Sequence, residues 1–185
     1  AMEYFARPDV EAIAALLGHA GDPTIEATVA DRKRYVLEAT AKLVGAEMWL
    51  WNIASVNAAT PGDTAIISLI DGGWESEQQR AWLFGFTTNP ELSGQANRRG
   101  HEAHHAQSPR TLLQREMYDH EQEVAPLMEQ WRANGLGDML LSVYPISPEL
   151  SSVVAVYRRA GHSNFTERDR AIVHLIFQQV DWLHR

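Results

Sequence analysis

The sequence predicts an α+β fold: one antiparallel sheet, with terminal helices on one face and an inserted helical and loop segment over the other. Three observations carry this. The apolar period changes from helical to alternating after residue 45 and returns to helical near residue 75. Strand-like runs come in two pairs, 46–53 with 64–70 and 138–146 with 150–159, each pair joined by a turn-rich connection. Finally, AEMWLWNI (46–53) and VVAVY (153–157) are apolar on both sides, so both faces of the sheet need cover.

Taken in order, residues 8–17 read as a short helix with Val10, Ile13, Ala14 and Leu17 on one face and Gly18 ending it. Residues 25–44 read as a longer helix, with Thr24 as cap, Ile25, Val29, Val36, Thr40 and Leu43 down a face, and Gly45 as the stop. AEMWLWNI follows as a strand whose apolar pattern only Glu47 and Asn52 interrupt. NAATPGD (57–63) is a turn, and TAIISLI (64–70) is the partner strand. ESEQQRAWLFGF (75–86) returns to helix, with Ser76 and Gln79 as a capping box and Trp82 and Phe86 one turn apart.

The stretch 89–109 is the least structured by pattern, since Pro90, Gly94, Gly100 and Pro109 interrupt it. A short strand is expected over 111–117. A helix is expected over 126–134, with Pro126 in its first turn and Gly135 at its C-cap. Two strands joined by Ser147-Pro148-Glu149 come next, then a helix over 166–185 that Thr166 and Asp169 cap.

Composition narrows the function. The chain has 185 residues, enough for a single domain with a proper core. Its net charge of −8 argues against a surface that grips nucleic acid, which needs clustered Lys and Arg. With 0 cysteines, thiol catalysis, cysteine zinc sites, iron–sulfur clusters and thioether chromophores are all excluded. No signal peptide and no bilayer-length apolar run is visible, so a cytoplasmic chain is expected. Ala1 before Met2 reads as a tag remnant, leaving one domain over 2–185.

Three stretches carry a resemblance: GGWESEQQRAWL (72–83), QWRANGLGDMLLSVYPI (130–146) and FTERDRAIVHLIFQQVDWLHR (165–185). They are similar to the N-terminal sensor region of LuxR-type transcriptional regulators, and the element order resembles the GAF sensor fold. The third is the most specific, because in that family an F-T-E-R-(D/E)-R helix closes the sensor and a helix-turn-helix domain follows. The resemblance implies a ligand-sensing regulatory domain, with 166–185 as connector helix and DNA reached only through a domain absent from these residues. It implies a homodimer as well, since two DNA half-sites call for a two-fold protein. No cofactor and no enzymatic activity follow from it. One rival is a ligand-free dimerisation or interaction module of the same fold.

A second rival rests on HEAHH (101–105), which formally matches the zinc-protease pattern His-Glu-x-x-His. On a helix His101 and His105 would share a face and Glu102 would activate a metal-bound water, with Glu121, Glu123 or Glu129 as third ligand. The flanks, RRG and AQSP, are poor material for a rigid site, so the histidines are expected to be adventitious and no metal site is assigned. A regulatory metal on His101, His104 and His105 stays open.

The aromatics suggest a pocket. Trp49 and Trp51 share one face of the first strand, Trp82 and Phe86 one side of a helix, and Met139 and Leu141 one face of a later strand. Singly, each is ordinary core. As a set, with Arg115 and Tyr118 as polar anchors, they suit a mostly apolar small-molecule site. On the last helix, Ile172, Leu175, Ile176 and Leu183 form the stripe expected to pack on the sheet. Phe177, Val180 and Trp182 fall outside much of that stripe and are expected to form the dimer interface.

Overall fold

The computed structural model describes residues 5–25, 27–56 and 64–185. Ala1, expected to be a tag remnant, and the turn expected at 57–63 lie outside the described residues. Helix α1 spans Arg7–Ala20, α2 Val29–Leu43, strand β1 Met48–Val56 and β2 Thr64–Gly72. Then come α3 (Glu77–Thr88), α4 (Pro90–His105), β3 (Arg110–Leu113), α5 (Glu121–Ala133), β4 (Leu136–Pro145), β5 (Leu150–Arg159) and α6 (Glu167–Gln179). The sheet order is β2-β1-β5-β4-β3, antiparallel at every pairing. Helices α1, α2 and α6 cover one face, and α3, α4 and α5 cover the other. This is the predicted GAF-like α+β layout.

The helix boundaries differ in instructive ways. Gly18 does not end α1, which runs to Ala20 with Gly21 as its C-cap. An interior glycine costs only about 1 kcal/mol against alanine, and burial of Leu16 and Ala20 on either side of it outweighs that. The buried stripe is Ile13, Leu16 and Ala20, whereas Val10 is 51% exposed. Thr24 does not cap α2. Its amide and hydroxyl both donate to Asp22, closing a local turn. Thr28 caps instead, in a full capping box with Asp31. On α3, Ser76 Oγ accepts from the Gln79 amide as predicted. The Gln79 side chain is drawn elsewhere: it accepts from the Glu75 amide and donates to the Asn134 carbonyl, tying α3 to the end of α5.

Two corrections matter for function. The segment expected to be irregular is α4, a helix of 16 residues. Asn89 accepts from the Glu91 amide as its N-cap, and Pro90 takes the first turn, where a missing N–H costs nothing. Gly94 and Gly100 are carried because Ser93, His101, Ala103 and His104 are buried beneath the helix. α5 begins at Glu121, so Pro126 lies inside it rather than in its first turn.

The chain's end is the second correction. The helix over 166–185 is not continuous: α6 stops at Gln179 and a 3-10 turn, Asp181–His184, folds Leu183 and His184 back into the core. The capping box of Thr166 and Asp169 forms as predicted. Asp169 also pairs with the half-hidden Arg158 at 3.2 Å, and Arg158 donates to the Val44 carbonyl, so one guanidinium ties α6, β5 and the end of α2 together. Phe177 and Val180 are each 1% exposed, packed in the chain's own core. They are therefore not free to form the expected interface. Trp182 alone of that set is exposed, with the Arg32 guanidinium over its ring. No helix among the described residues is long and apolar enough to cross a membrane.

Candidate ligand-binding cavity

Successive side chains of a strand point to opposite faces, so the sheet sorts its residues between two layers. Trp49, Trp51, Leu140, Val154 and Val156 point toward α1, α2 and α6 and are packed solid. Their neighbours point the other way and meet empty space. A cavity of about 460 Å³ lies between the sheet and α3, α4 and α5, within the range of small-molecule sites. Leu50, Asn52 and Ala54 of β1 form its floor with Val153, Ala155 and Tyr157 of β5 and Met139, Leu141 and Val143 of β4. α4 roofs it with small and polar residues, among them Gly94, Ala96, Asn97 and His101. Phe86, Tyr118 and Trp131 add aromatic walls.

Of the predicted pocket residues, Phe86, Tyr118, Met139 and Leu141 are brought together here. Trp82 stacks on Phe86 at 5.5 Å and supports the wall without lining it. Trp49 and Trp51 belong to the opposite layer, a correction that follows from strand alternation: they sit on the other side of the sheet from Leu50. Arg115 is also corrected. It lies on the 3-10 turn Gln114–Glu116 after β3 and pairs with Glu167 at 3.3 Å, outside the cavity.

The cavity holds polar groups that sequence reasoning missed. Tyr157 is 2% exposed, with its ring set between those of Trp74 and Trp131. Burial raises its pKa, as it does for Tyr118, so both phenols stay protonated at neutral pH. Trp131, whose ring lies 6.0 Å from that of Tyr157, carries a buried indole N–H with no partner. Such an unmet donor costs about 1–3 kcal/mol. On the floor, the Asn52 side chain makes no hydrogen bond among the described residues. Its sequence signal was an amide interrupting a strand apolar on both faces. No Asp or Glu among the described residues lines the cavity, and its one guanidinium, Arg98, is exposed at the surface.

The histidines of HEAHH have separate tasks. His104 is 1% exposed and takes a proton donation from Ser151 Oγ at 2.5 Å while its Nε2–H donates to the Pro148 carbonyl at 2.8 Å. His101 and His105, one turn apart, place their Nε2 atoms 2.6 Å from each other. That is the distance of a direct ring-to-ring hydrogen bond. Two ligands of one tetrahedral zinc stand roughly 3.3 Å apart. Burial, then the neighbouring His105 and His104, hold the His101 pKa below its ordinary value. Glu102 pairs with Arg99, and Glu123 accepts from Gln95. Among the described residues no group of three or more His, Asp or Glu is arranged to hold a metal ion.

A matching arrangement occupies the other face. His184 accepts from Ser152 Oγ at 2.6 Å and donates to the Phe177 carbonyl at 2.9 Å, and Ser152 Oγ accepts from the Trp51 indole at 2.6 Å. Burial pushes the His184 pKa down to about 4.

No protein-family model matches the chain, and no curated protein matches it by sequence. Solved structures share its fold. The ligand-binding domain of VqsR from Pseudomonas aeruginosa superposes with a TM-score of 0.57 at 11% identity, covering 97% of this chain and 100% of that one. CepR2 from Burkholderia cenocepacia, an N-acylhomoserine-lactone-dependent LuxR-family transcription factor, gives 0.56 at 11% identity over 95% of this chain and 92% of that one. The third GAF domain of Slr1393 from Synechocystis, in its photoproduct state, gives 0.50 at 13% identity, covering 84% and 90%. At these identities the likeness establishes the fold, with LuxR-type ligand-binding domains and GAF domains both among its neighbours.

Proposed function

We propose that this chain is a small-molecule-sensing regulatory domain of a cytoplasmic transcriptional regulator, and that it performs no catalysis. The observation that supports this best is the cavity itself. A layer of three helices covers the second face of the sheet, yet leaves about 460 Å³ beneath it lined by aromatic and aliphatic side chains. A pure interaction module gains nothing from such a space, since an unfilled cavity costs stability. The dependence of CepR2 on a small molecule points the same way. In this reading the ligand fixes the positions of α3, α4 and α5 on the sheet, and the bias reaches a DNA-binding domain through α6 and the turn after it. A ligand that prefers one arrangement is all the thermodynamics requires. The homodimer is kept as part of the proposal, on surfaces other than Phe177 and Val180.

The test is native mass spectrometry of the purified chain, followed by thermal unfolding with each retained or added compound. A true ligand at a hundred times its dissociation constant stabilises the fold by about 2.7 kcal/mol. A chain that retains nothing and whose melting temperature no compound moves is an interaction module.

A further inference from the structure

The cavity has an apolar floor and a charged opening. The floor is aliphatic around Asn52, with Leu50, Ala54, Met139, Leu141 and Ala155 facing the space. Several polar side chains of the roof are turned to the protein. Ser93 Oγ donates to the Thr87 carbonyl at 3.0 Å, and Asn97 Nδ2 donates to the same carbonyl at 3.2 Å. His104 is held between Ser151 and Pro148. Of the lining residues only Ile66, Thr88, Pro90 and Arg98 are exposed, and they mark where the cavity opens to solvent.

Arg98 brings the charge to that opening. Its guanidinium lies back along α4 toward Gly94, where a Cβ would stand 3.9 Å from Nη1. Among the described residues no carboxylate pairs with it, whereas its neighbour Arg99 pairs with both Glu102 and Asp119. An exposed guanidinium needs no partner for its own sake, since water solvates it. What singles out Arg98 is its place at the mouth of an apolar cavity that no Asp or Glu among the described residues lines. A cation entering there meets repulsion and no compensating carboxylate.

We infer that the cavity takes an anionic amphiphile of the fatty-carboxylate kind. Its apolar tail lies on the floor, and its carboxylate stays at the opening against Arg98. A carboxylate matches a guanidinium through two parallel N–H···O bonds. Because the head remains near water, little desolvation of the charge opposes binding. Each methylene drawn inside adds to the affinity. This inference rests on the sensing reading and specifies the ligand class of the same cavity.

The test titrates the whole chain with hexanoate, octanoate and decanoate at neutral pH, following Trp fluorescence and melting temperature. Decanol and decyltrimethylammonium serve as the uncharged and cationic controls. Carboxylate affinity should rise about fourfold per added methylene, and decanoate should bind about tenfold more tightly than decyltrimethylammonium. Arg98→Gln should weaken decanoate about fivefold while leaving decanol within about twofold. Arg98→Lys keeps the charge and should retain most of the decanoate affinity. Circular dichroism checks that both variants fold. Equal binding of the two charged compounds, decanoate affinity unchanged in Arg98→Gln, or binding of decanol without the carboxylates overturns the anionic head but leaves a sensing cavity. Carboxylate affinity that does not grow with chain length overturns the buried tail. A chain that binds none of these compounds overturns this inference, and the sensing reading falls with it only if native mass spectrometry also finds nothing retained.

Discussion

The two faces of the sheet are built from the same strands, residue by alternate residue, yet they are packed to different ends. Under α1, α2 and α6 the side chains interlock: Val36, Leu37, Leu140, Val156, Ile172, Val173 and Ile176 have no exposed surface at all. Every polar atom of the Trp51–Ser152–His184 chain is satisfied. Under α3, α4 and α5 the aromatics leave a cavity, and the Trp131 indole N–H is left unmatched. One face has been optimised for stability. The other gives up stability for space, and that difference is the strongest functional statement the molecule makes.

The largest expected contrast lies between neighbours on β4. Leu140→Ala, on the solid face, should cost roughly 2–5 kcal/mol, the range for creating a void in a close-packed core. Leu141→Ala, in the cavity wall, removes fewer contacts and should cost less than half as much. Urea unfolding midpoints measure both. Equal losses would mean the two faces are equally packed.

His184 sharpens the contrast through pH. An unfolded chain titrates this ring near 6.5, whereas the fold holds it neutral down to about 4. Between those values the unfolded chain takes up a proton that the folded chain refuses. Stability is therefore complete above pH 6.5 and falls through the window to about 4, by about 3 kcal/mol in all. His184→Gln cannot titrate, so its stability should fall less than that of the parent between pH 7 and pH 4, by that same amount. A parallel decline in both proteins would remove His184 as the cause.

The smallest effect concerns filling. Ala155→Leu adds bulk where the cavity has room and should change stability by less than about 1 kcal/mol, while abolishing any ligand-induced rise in melting temperature. Ala41→Leu adds the same bulk to the solid face and should cost about 1–3 kcal/mol. A ligand response that persists in Ala155→Leu would place the ligand elsewhere.

The sequence made the layers legible but not their contents. Alternation along AEMWLWNI showed that both faces of the strand were buried, yet it could not say which face met a cavity, so Trp49 and Trp51 were grouped with residues across the sheet. α4 was hidden because its glycines and proline outweigh its weak apolar stripe, and only the sheet beneath it supplies the missing stabilisation. Tyr157 read as one more core aromatic in a strand. Its place in the cavity wall depends on Trp131 and Trp74, distant residues that no local pattern connects to it. The end of α6 at Gln179 was equally obscure: without Gly or Pro, the stop comes from the pull of Leu183 and His184 into the core.

Ser151 and Ser152 are consecutive, and each is gripped by a buried histidine, one from the cavity roof and one from the terminal turn. A sheet ordinarily insulates its two sides, since side chains on opposite faces share no atoms. Here a single peptide unit of β5 carries both attachments. Rotating that unit to relax one hydrogen bond twists the other, so the roof helix and the last turn cannot settle independently. The strand resembles an axle with a crank at each end: Ser151 turns toward the roof helix and Ser152 toward the terminal turn.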